Sequence, residues 1–396
     1  MRTNISYILM CLFCASLWTA CQKEDKIPYT ANCNLPSGDS SSIHPKANVY
    51  QSVMDEYVKK GMPGISVAIR DKNGLWLGGS GMADINKSIL LEPCHISKAA
   101  SITKMFVGTL THLLVEDGVL NLDDPISKWL TDKQLKDIKN AKEATIRTCL
   151  GHTTGIADVI KDQAFYLAVL NQPDKFWEEE ELLDFVRGDE EVFSPGDSVK
   201  YSNTNTLLVG MVIEAATGKQ HAELIKERLI KPNHLEDTYY YWHDIPPSHT
   251  VAQGYFDLYN NGTIVNLTNY NTGSGNGYGG LYSTSIDLLH FVELLFRDKV
   301  ILKTQSLNAM LTFGHKEENK DRLLGLGVMK SFTERAPDQF AYGHSGRDLG
   351  YTADVFYFPN QDMTLSFMIN YGTDAESKLQ QVFFDFRTAI VDAMMQ

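Results

Sequence analysis

Residues 99–106 read AASITKMF, with Ser101 and Lys104 three positions apart at the start of an apolar-periodic run. In a helix, side chains three positions apart share one face, so the Lys104 amine would lie within reach of the Ser101 hydroxyl. A serine hydroxyl is a weak nucleophile at neutral pH and needs a neighbouring base to accept its proton. A buried lysine can be that base, because burial disfavours its charged form. The stretch therefore predicts a nucleophile with its own base.

Chance is the alternative explanation for this spacing, because serine and lysine are both common and a chain of this length contains Ser-x-x-Lys about once at random. This sequence contains it only at Ser101. Apolar residues follow at Val107, Leu110 and Leu114, the i, i+3, i+7 pattern of a helix with one buried face. The helical context favours function over chance.

The N-terminal segment, residues 1–20, has the pattern of a lipoprotein signal peptide. Arg2 supplies a positive charge, and residues 5–18 are mostly apolar but too few to span a membrane comfortably. Residues 17–21, LWTAC, resemble a bacterial lipobox, which would make Cys21 the lipid anchor; an ordinary secretory signal is the alternative. Residues 21–46 are polar and predict a flexible tether. We expect a lipid-anchored protein of the bacterial cell envelope, periplasmic or on the outer-membrane surface.

Composition limits the function classes of the remaining chain, residues 47–396. The full sequence has 43% hydrophobic residues, which indicates a globular protein, and its formal net charge of −13 argues against nucleic acid as a partner. Beyond Cys21 the cysteines are Cys33, Cys94 and Cys149, which lack metal-ligand spacing and allow at most one disulfide. We expect no metal and no organic cofactor.

Periodicity and turn signals predict the fold class. A helix is expected over 47–60 and a hairpin over 65–69 and 75–79, and a last helix over 374–395. Strand signals return late in the chain, at 324–329, 339–342, 352–358 and 364–369. Early and late strands that pair with each other imply an α/β (α+β) protein with one mixed, mainly antiparallel sheet between terminal helices. The sheet subdomain would comprise 47–98 and 320–396, and a mostly helical subdomain, 99–319, would be inserted into it.

A second candidate stretch is KYSNTN, residues 200–205, placed just before another apolar stripe. Tyr201 offers a phenol for proton transfer, and Asn203 offers a carboxamide for hydrogen bonding. The competing Tyr-x-Asn at Tyr259 runs directly into Asn261 and Gly262, a hairpin turn signal. We therefore favour Tyr201 and Asn203.

A third candidate stretch is YGHSGR, residues 342–347. Ser345 and Gly346 on an edge strand would let a substrate backbone approach closely, and the next backbone N–H, that of Arg347, could complete an oxyanion hole. A surface histidine in a glycine-rich turn is the alternative interpretation of His344.

With the three stretches in this order, the sequence resembles the serine β-lactamase and penicillin-binding DD-peptidase superfamily, in particular its class C-like branch. The resemblance implies a β-lactamase/transpeptidase-like fold, with Ser101 as the acylated nucleophile and Lys104 as its proton acceptor. It also implies that Tyr201 relays the proton to the leaving group and that Asn203 holds the substrate amide. The oxyanion hole would be the backbone N–H groups of Ser101 and Arg347.

One departure from the family pattern bears on substrate choice. His344 stands where the most efficient β-lactamases of this branch carry lysine, and a neutral histidine attracts a substrate carboxylate less than an ammonium does. Arg347 is a possible replacement for that positive charge. His152, which could be mistaken for a catalytic base, is expected to be structural.

The resemblance predicts a serine hydrolase that forms an acyl-enzyme with an amide or an ester. We expect a D-amino-acid peptide of cell-wall type as substrate, as for DD-carboxypeptidases and D-peptidases. A class C-like β-lactamase and a promiscuous carboxylesterase are the enzymatic alternatives. A penicillin-recognising binding protein without catalysis is the non-enzymatic one.

The anchor hypothesis predicts that Cys21→Ser releases the protein from membranes, because the thiol that accepts the lipid is gone. Fractionation of expressing cells measures this, with Cys33→Ser in the same polar segment as the control. Continued membrane association of Cys21→Ser would contradict the hypothesis.

Overall fold

The structure, a computed structural model, describes residues 43–241, 243–246, 251–314, 316–318, 320–336, 338–374 and 376–396. The predicted signal peptide, Cys21, Cys33 and nearly all of the predicted tether lie outside these residues. None of the helices in the described ranges is long and apolar enough to cross a membrane. Cys94 is disulfide-bonded, and Cys149 is a buried free thiol.

The chain begins with a helix and a hairpin. Helix α1 buries Tyr50, Met54 and Tyr57, which recur at the spacing of one helix face. The hairpin turn falls at Gly74, whose φ of 116° is a conformation that favours glycine. The elements are α1 (Ala47–Lys59), β1 (Gly64–Asp71), β2 (Gly74–Asp84), β3 (Ile89–Leu90) and β4 (Ser97–Ala100).

The middle of the chain is mainly helical, with four short strands. Its helices are α2 (Thr103–Glu116), α3 (Ile146–Leu150), α4 (Gln163–Asn171), α5 (Glu179–Leu183), α6 (Asn203–Thr217), α7 (His221–Ile225), α8 (Ser285–Val292) and α9 (Thr304–Met310). Its strands are β5 (Tyr239–Tyr240), β6 (Tyr255–Phe256), β7 (Val265–Asn266) and β8 (Leu281–Ser283). The hairpin of β6 and β7 encloses Asn261 and Gly262, so the turn predicted there is confirmed.

The last part of the chain returns to the sheet and ends in a helix. Its elements are β9 (Arg322–Leu324), β10 (Met329–Ser331), β11 (Ala341–Asp348), β12 (Tyr351–Phe358), β13 (Met363–Ile369) and α10 (Gln380–Met395).

Eight strands form one sheet in the order β3-β2-β1-β13-β12-β11-β10-β9. The predicted pairing of early with late strands is confirmed, since β1 pairs with β13 with Val67 opposite Phe367. Every neighbouring pair is antiparallel, so the sheet is more uniform than the mixed one predicted. Helices α1 and α10 cover one face, where Phe386 meets the rings of Tyr57 and Phe367. Leu289 of α8 packs on the other face.

The single strand predicted over 324–329 is wrong. The chain turns between β9 and β10, and the two strands pair antiparallel. Gly327, at a φ of 86°, lies against α2, where an added Cβ would come within 2.8 Å of the Gly108 Cα. This contact between two glycine backbones reverses the strand, and it depends on tertiary packing that periodicity does not encode.

A close backbone contact joins β4 to β11 and positions the candidate site. A Cβ on Gly346 would lie 2.1 Å from the Ala99 carbonyl oxygen, so only glycine fits there. The contact holds the end of β4, and Ser101 just beyond it, against the YGHSGR stretch of β11. The third predicted stretch is therefore brought next to the first by strand geometry.

A buried ion cluster ties β12 to α10. The Asp354 side chain is fully buried and accepts hydrogen bonds from Arg347 Nη1 at 2.8 Å and from Arg387 Nε at 2.6 Å. Removing the carboxylate would leave two partly buried guanidinium groups without their counter-charge.

We predict that Asp354→Ala lowers the free energy of unfolding by about 3–5 kcal/mol, the usual cost of breaking a buried ion pair. Asp123→Ala, which breaks an exposed pair with Arg147, should cost at most about 1 kcal/mol. Urea unfolding of both variants measures this difference. Equal losses would show that the Asp354 cluster contributes no more than a surface pair.

Candidate active site

The structure brings the three predicted stretches together. Ser101 lies in the turn after β4 and Lys104 in the first turn of α2, so the helix begins two residues later than the serine. The Lys104 Nζ atom lies 3.1 Å from the Ser101 Oγ atom. Asn203 is the first residue of α6, with Tyr201 two residues before it, and His344 lies on β11.

The Lys104 amine is almost completely buried, with 1% of the residue exposed. It donates hydrogen bonds to Asn203 Oδ1 at 2.7 Å and to the Tyr278 carbonyl oxygen at 2.6 Å. Burial lowers the pKa of Lys104 well below its usual value, the charge of Asp158 acts to raise it, and that of Arg322 lowers it further. A neutral amine donates its two N–H groups to these two carbonyl oxygens, which leaves its lone pair facing the Ser101 hydroxyl. This geometry can remove the serine proton.

The Tyr201 side chain completes a ring of polar groups around Ser101. Its hydroxyl is buried and has no hydrogen-bond partner of normal geometry in the described part of the chain. Burial raises the pKa of Tyr201, although the adjacent Ser101 hydroxyl acts to lower it. The phenol is therefore protonated at neutral pH and can give its proton to a leaving group.

Two side chains pack against the Tyr201 ring. His152 stacks on it at a centroid distance of 4.5 Å, and the Arg322 guanidinium lies 5.1 Å from its centroid. Burial lowers the pKa of His152 to about 3, so the imidazole is neutral. Its Nδ1 atom accepts a hydrogen bond from the Ser202 backbone N–H at 3.2 Å. As predicted from the sequence, His152 is placed for packing, not for proton transfer from Ser101.

Arg322 and Glu317 were missed by the sequence analysis. Arg322 forms a two-nitrogen ion pair with Glu317, with Nε at 2.8 Å and Nη2 at 2.6 Å from Oε2. The other carboxylate oxygen of Glu317 accepts a hydrogen bond from the Tyr201 backbone N–H at 3.2 Å. The pair therefore holds both the ring and the backbone of Tyr201. No local pattern around residues 317–322 indicates this role, because it arises only from tertiary contact.

Asp158 is a second residue that the sequence analysis missed. Its carboxylate accepts hydrogen bonds from the Asn203 backbone N–H at 3.0 Å and from Asn203 Nδ2 at 3.1 Å. The carboxamide of Asn203 thus links Asp158 to Lys104. In the absence of substrate, both ends of that carboxamide are bound to the protein, and holding a substrate amide stays a prediction for Asn203.

The β11 motif is buried against the site. His344 is 2% exposed, so the alternative of a surface histidine is wrong. Burial lowers the pKa of His344 well below its usual value, and its Nδ1 atom donates to the Ser345 carbonyl oxygen at 2.7 Å. The imidazole is neutral and supplies no charge for a substrate carboxylate.

The Arg347 guanidinium is directed away from the site, towards Asp354. The suggestion that it replaces the missing lysine charge is therefore wrong. Arg322 is the cation beside Tyr201 instead. The Arg347 backbone lies in the strand next to Ser101, and its part in an oxyanion hole stays a prediction.

A pocket opens in front of Ser101 and Asn203. Its lining combines apolar and aromatic side chains with two carboxylates and Arg347. The apolar and aromatic members include Ile160, Phe165, Tyr166, Phe256 and Leu349, and the carboxylates are Asp348 and Asp374. Within the described ranges no group of three or more histidine, cysteine, aspartate or glutamate side chains could hold a metal ion.

Comparison with known families agrees with this geometry. The Beta-lactamase family model matches residues 50–385. The chain belongs to the Beta-lactamase family. Penicillin-binding protein 4* of Bacillus subtilis (strain 168) is 25% identical over 311 residues, which cover 75% of this chain and 65% of that protein. The chain spans 64–65% of the length of the curated relatives that it matches.

Solved structures of similar Beta-lactamase fold include enzymes that act on D-amino-acid derivatives. A D-stereospecific amidohydrolase from Streptomyces sp. is 27% identical with a TM-score of 0.74, and the match covers 85% of this chain and 97% of that one. The D-amino acid amidase of Ochrobactrum anthropi SV3, in complex with L-phenylalanine amide, is 26% identical with a TM-score of 0.77, covering 88% and 98%. This Beta-lactamase family member shares its fold with both of these enzymes.

We predict that Arg322→Gln moves the acidic limb of the pH profile of kcat/KM to higher pH. A protonated Lys104 cannot accept the serine proton, so activity falls as the pH drops through the lowered pKa of Lys104. Removing the Arg322 charge, which helps to lower that pKa, should raise it. Arg228→Gln, at a surface pair with Asp117, is the control, and an unmoved limb in Arg322→Gln would contradict the assignment.

Proposed function

We propose that this protein hydrolyses amide bonds of D-amino-acid peptides of cell-wall type through an acyl-enzyme on Ser101. The observation that carries the proposal is the environment of Lys104. Its amine donates to two carbonyl oxygens, and its lone pair is left facing the Ser101 hydroxyl at 3.1 Å. A base that is held neutral and aimed at a serine is what acyl transfer needs.

In the proposed acylation step, Ser101 Oγ forms a bond to the substrate carbonyl carbon while its proton passes to Lys104 Nζ. The carbonyl oxygen becomes an oxyanion that accepts hydrogen bonds from the backbone N–H groups of Ser101 and Arg347. The C–N bond then breaks as the Tyr201 hydroxyl protonates the leaving amine. Tyr201 recovers a proton from Lys104, so these two side chains return to their starting protonation and Ser101 is left as the ester.

Deacylation repeats these steps with water. A water molecule loses a proton to the same base and attacks the ester carbon, and Ser101 leaves with that proton restored. No other reactant is required. The raised pKa keeps the Tyr201 phenol protonated, and the lowered pKa favours the unprotonated Lys104 amine, so each starts in the form that its step requires.

The pocket in front of Ser101 favours an acyl group with a positive charge. Asp348, Asp374 and Arg347 all line it, but the Arg347 guanidinium is paired with Asp354. Lys98 Nζ lies 3.9 Å from Asp348 and donates to the Tyr270 carbonyl oxygen, so it offsets only one of the two carboxylates. The α-ammonium of a free D-amino acid derivative and the side-chain ammonium of a cell-wall peptide both suit a pocket lined in this way.

The alternatives fit the site less well. A β-lactam brings a carboxylate, and the neutral His344 gives it no positive charge. A carboxylesterase needs no ammonium at all. Similarity to D-amino acid amidases supports the D-amino-acid class. We also propose that the protein acts at the cell envelope, held there through Cys21.

We predict that amides of D-phenylalanine and peptides ending in D-Ala-D-Ala with a free side-chain amine give a higher kcat/KM than a chromogenic cephalosporin or a short-chain ester. Acetylating the substrate amine should lower kcat/KM about tenfold, as expected for a lost charge contact of about 1.4 kcal/mol. Ser101→Ala should abolish turnover of all of them. Best turnover of the ester or the cephalosporin would contradict the proposed substrate class.

The matched variant for the same measurement is Asp374→Asn, with Asp385→Asn on the exposed side of α10 as the control. Asp374→Asn should reduce the preference for the free amine, whereas Asp385→Asn should keep it. Labelling with fluorescent penicillin, followed by peptide mapping, distinguishes the proposed enzyme from a non-catalytic penicillin-binding protein. An adduct on Ser101 in the absence of peptide turnover would favour the binding protein over the enzyme.

A further inference from the structure

The loop of residues 273–280 carries the Tyr278 carbonyl that holds the Lys104 amine. Four glycines of this loop, Gly273, Gly275, Gly277 and Gly280, have φ values of 72°, 98°, 84° and 122°. Glycine has the greatest backbone freedom of any residue, so a loop of this kind does not fix a carbonyl by itself. Contacts from outside the loop must hold it.

One such contact comes from a chain of buried side chains that the proposed mechanism does not use. The Gly277 backbone N–H donates to the Tyr240 hydroxyl oxygen at 3.2 Å. The Tyr240 Oη atom is in turn 2.9 Å from His221 Nε2, and His221 Nδ1 is 2.6 Å from Glu214 Oε1. Tyr240 is fully buried and His221 is 2% exposed.

The direction of each hydrogen bond follows from the ends of the chain. Burial acts to raise the pKa of Glu214, but the hydrogen bonds and electrostatic contacts from His221 and His243 together lower it, so Glu214 is a carboxylate. His221 Nδ1–H then donates to it, and Nε2 accepts from the Tyr240 hydroxyl. Burial raises the pKa of Tyr240, which keeps that hydroxyl protonated. Tyr240 Oη thus has two partners, Gly277 and His221, and Glu214 Oε1 also accepts from the His221 backbone N–H at 3.1 Å.

Helix α6 ties this chain to the rest of the site. It carries Asn203 at its first residue and Glu214 near its end. Gly277 lies against the same helix, where an added Cβ would be 2.7 Å from the Thr206 carbonyl oxygen. One rigid helix therefore bears both the carboxamide that binds Lys104 directly and the carboxylate that orients His221.

We propose that Glu214, His221 and Tyr240 form a positioning relay that fixes the 273–280 loop and so aims the Lys104 lone pair at Ser101. The relay rests on the proposed function, since it serves the same lysine. It touches neither substrate nor the reacting atoms, and its members are positioning residues. The other titratable groups that face it are Glu179 and His243, whose ring centroid lies 6.3 Å from that of His221.

The test removes a single hydroxyl. Tyr240→Phe keeps the buried ring but frees the Gly277 N–H, and Tyr239→Phe removes the neighbouring hydroxyl on the same strand, which donates to the Glu236 carbonyl oxygen outside the relay. The readout is labelling of Ser101 in the full chain by a fluorophosphonate, which needs the serine and its base but no particular substrate. The maximal labelling rate and the half-saturating concentration are measured separately.

We expect the maximal labelling rate of Tyr240→Phe to fall about 10- to 100-fold, because a small misplacement of a catalytic group has effects of that size. The half-saturating concentration of Tyr240→Phe should stay at the parent value. Both quantities should stay at the parent values in Tyr239→Phe. A purely structural role would lower thermal stability and the fraction of labelled protein, without slowing the folded fraction. That result would overturn the relay.

A second variant covers the case in which Tyr240→Phe does not fold. Glu214→Gln changes the partly exposed end of the relay and keeps an oxygen for His221, so a smaller fall in the same rate is expected. An unchanged rate in Glu214→Gln would then overturn the proposal. If the parent protein itself fails to label at Ser101, the proposed function fails first, and the two failures are thereby distinguished.

Discussion

The site depends on the burial of one amine. A charged lysine enclosed at this depth would be costly, so burial lowers the pKa of Lys104 and favours the neutral amine, whose N–H groups are paired with two carbonyl oxygens. Because each carbonyl belongs to a different element, α6 and the 273–280 loop, the amine is in place only when both are. The reactivity of Ser101 is therefore a property of tertiary packing, although its spacing to Lys104 is local.

Local geometry explains what could be predicted from the sequence. The Ser101 and Lys104 pair, the hairpin of β1 and β2, and the turn at Gly262 all follow from spacings within a few residues. Tyr201, Asn203 and His344 could be predicted because they belong to motifs whose order along the chain is informative. The fold class followed from the position of the strand signals at the two ends of the sequence.

The remainder could not be predicted, because it consists of contacts between distant segments. Asp158 is recognisable only once its carboxylate is seen against Asn203, and Arg322 only once it lies over the Tyr201 ring. The same reason explains the wrong strand over 324–329, where a contact with α2 reverses the chain. The role predicted for the Arg347 charge was wrong because the side chain binds Asp354, although the Arg347 backbone lies in the strand next to Ser101.

The pairing of β1 with β13 has a consequence for folding during synthesis. Val67 and Phe367 are partners about 300 residues apart, and ordering so long a loop makes closure of the sheet a late event. Strand β11, whose Gly346 packs against Ala99, lies two strands beyond β13 in the sheet. A nascent chain that has not emerged completely lacks β11 beside Ala99, so the candidate site cannot form until the last strands of the sheet have been synthesised.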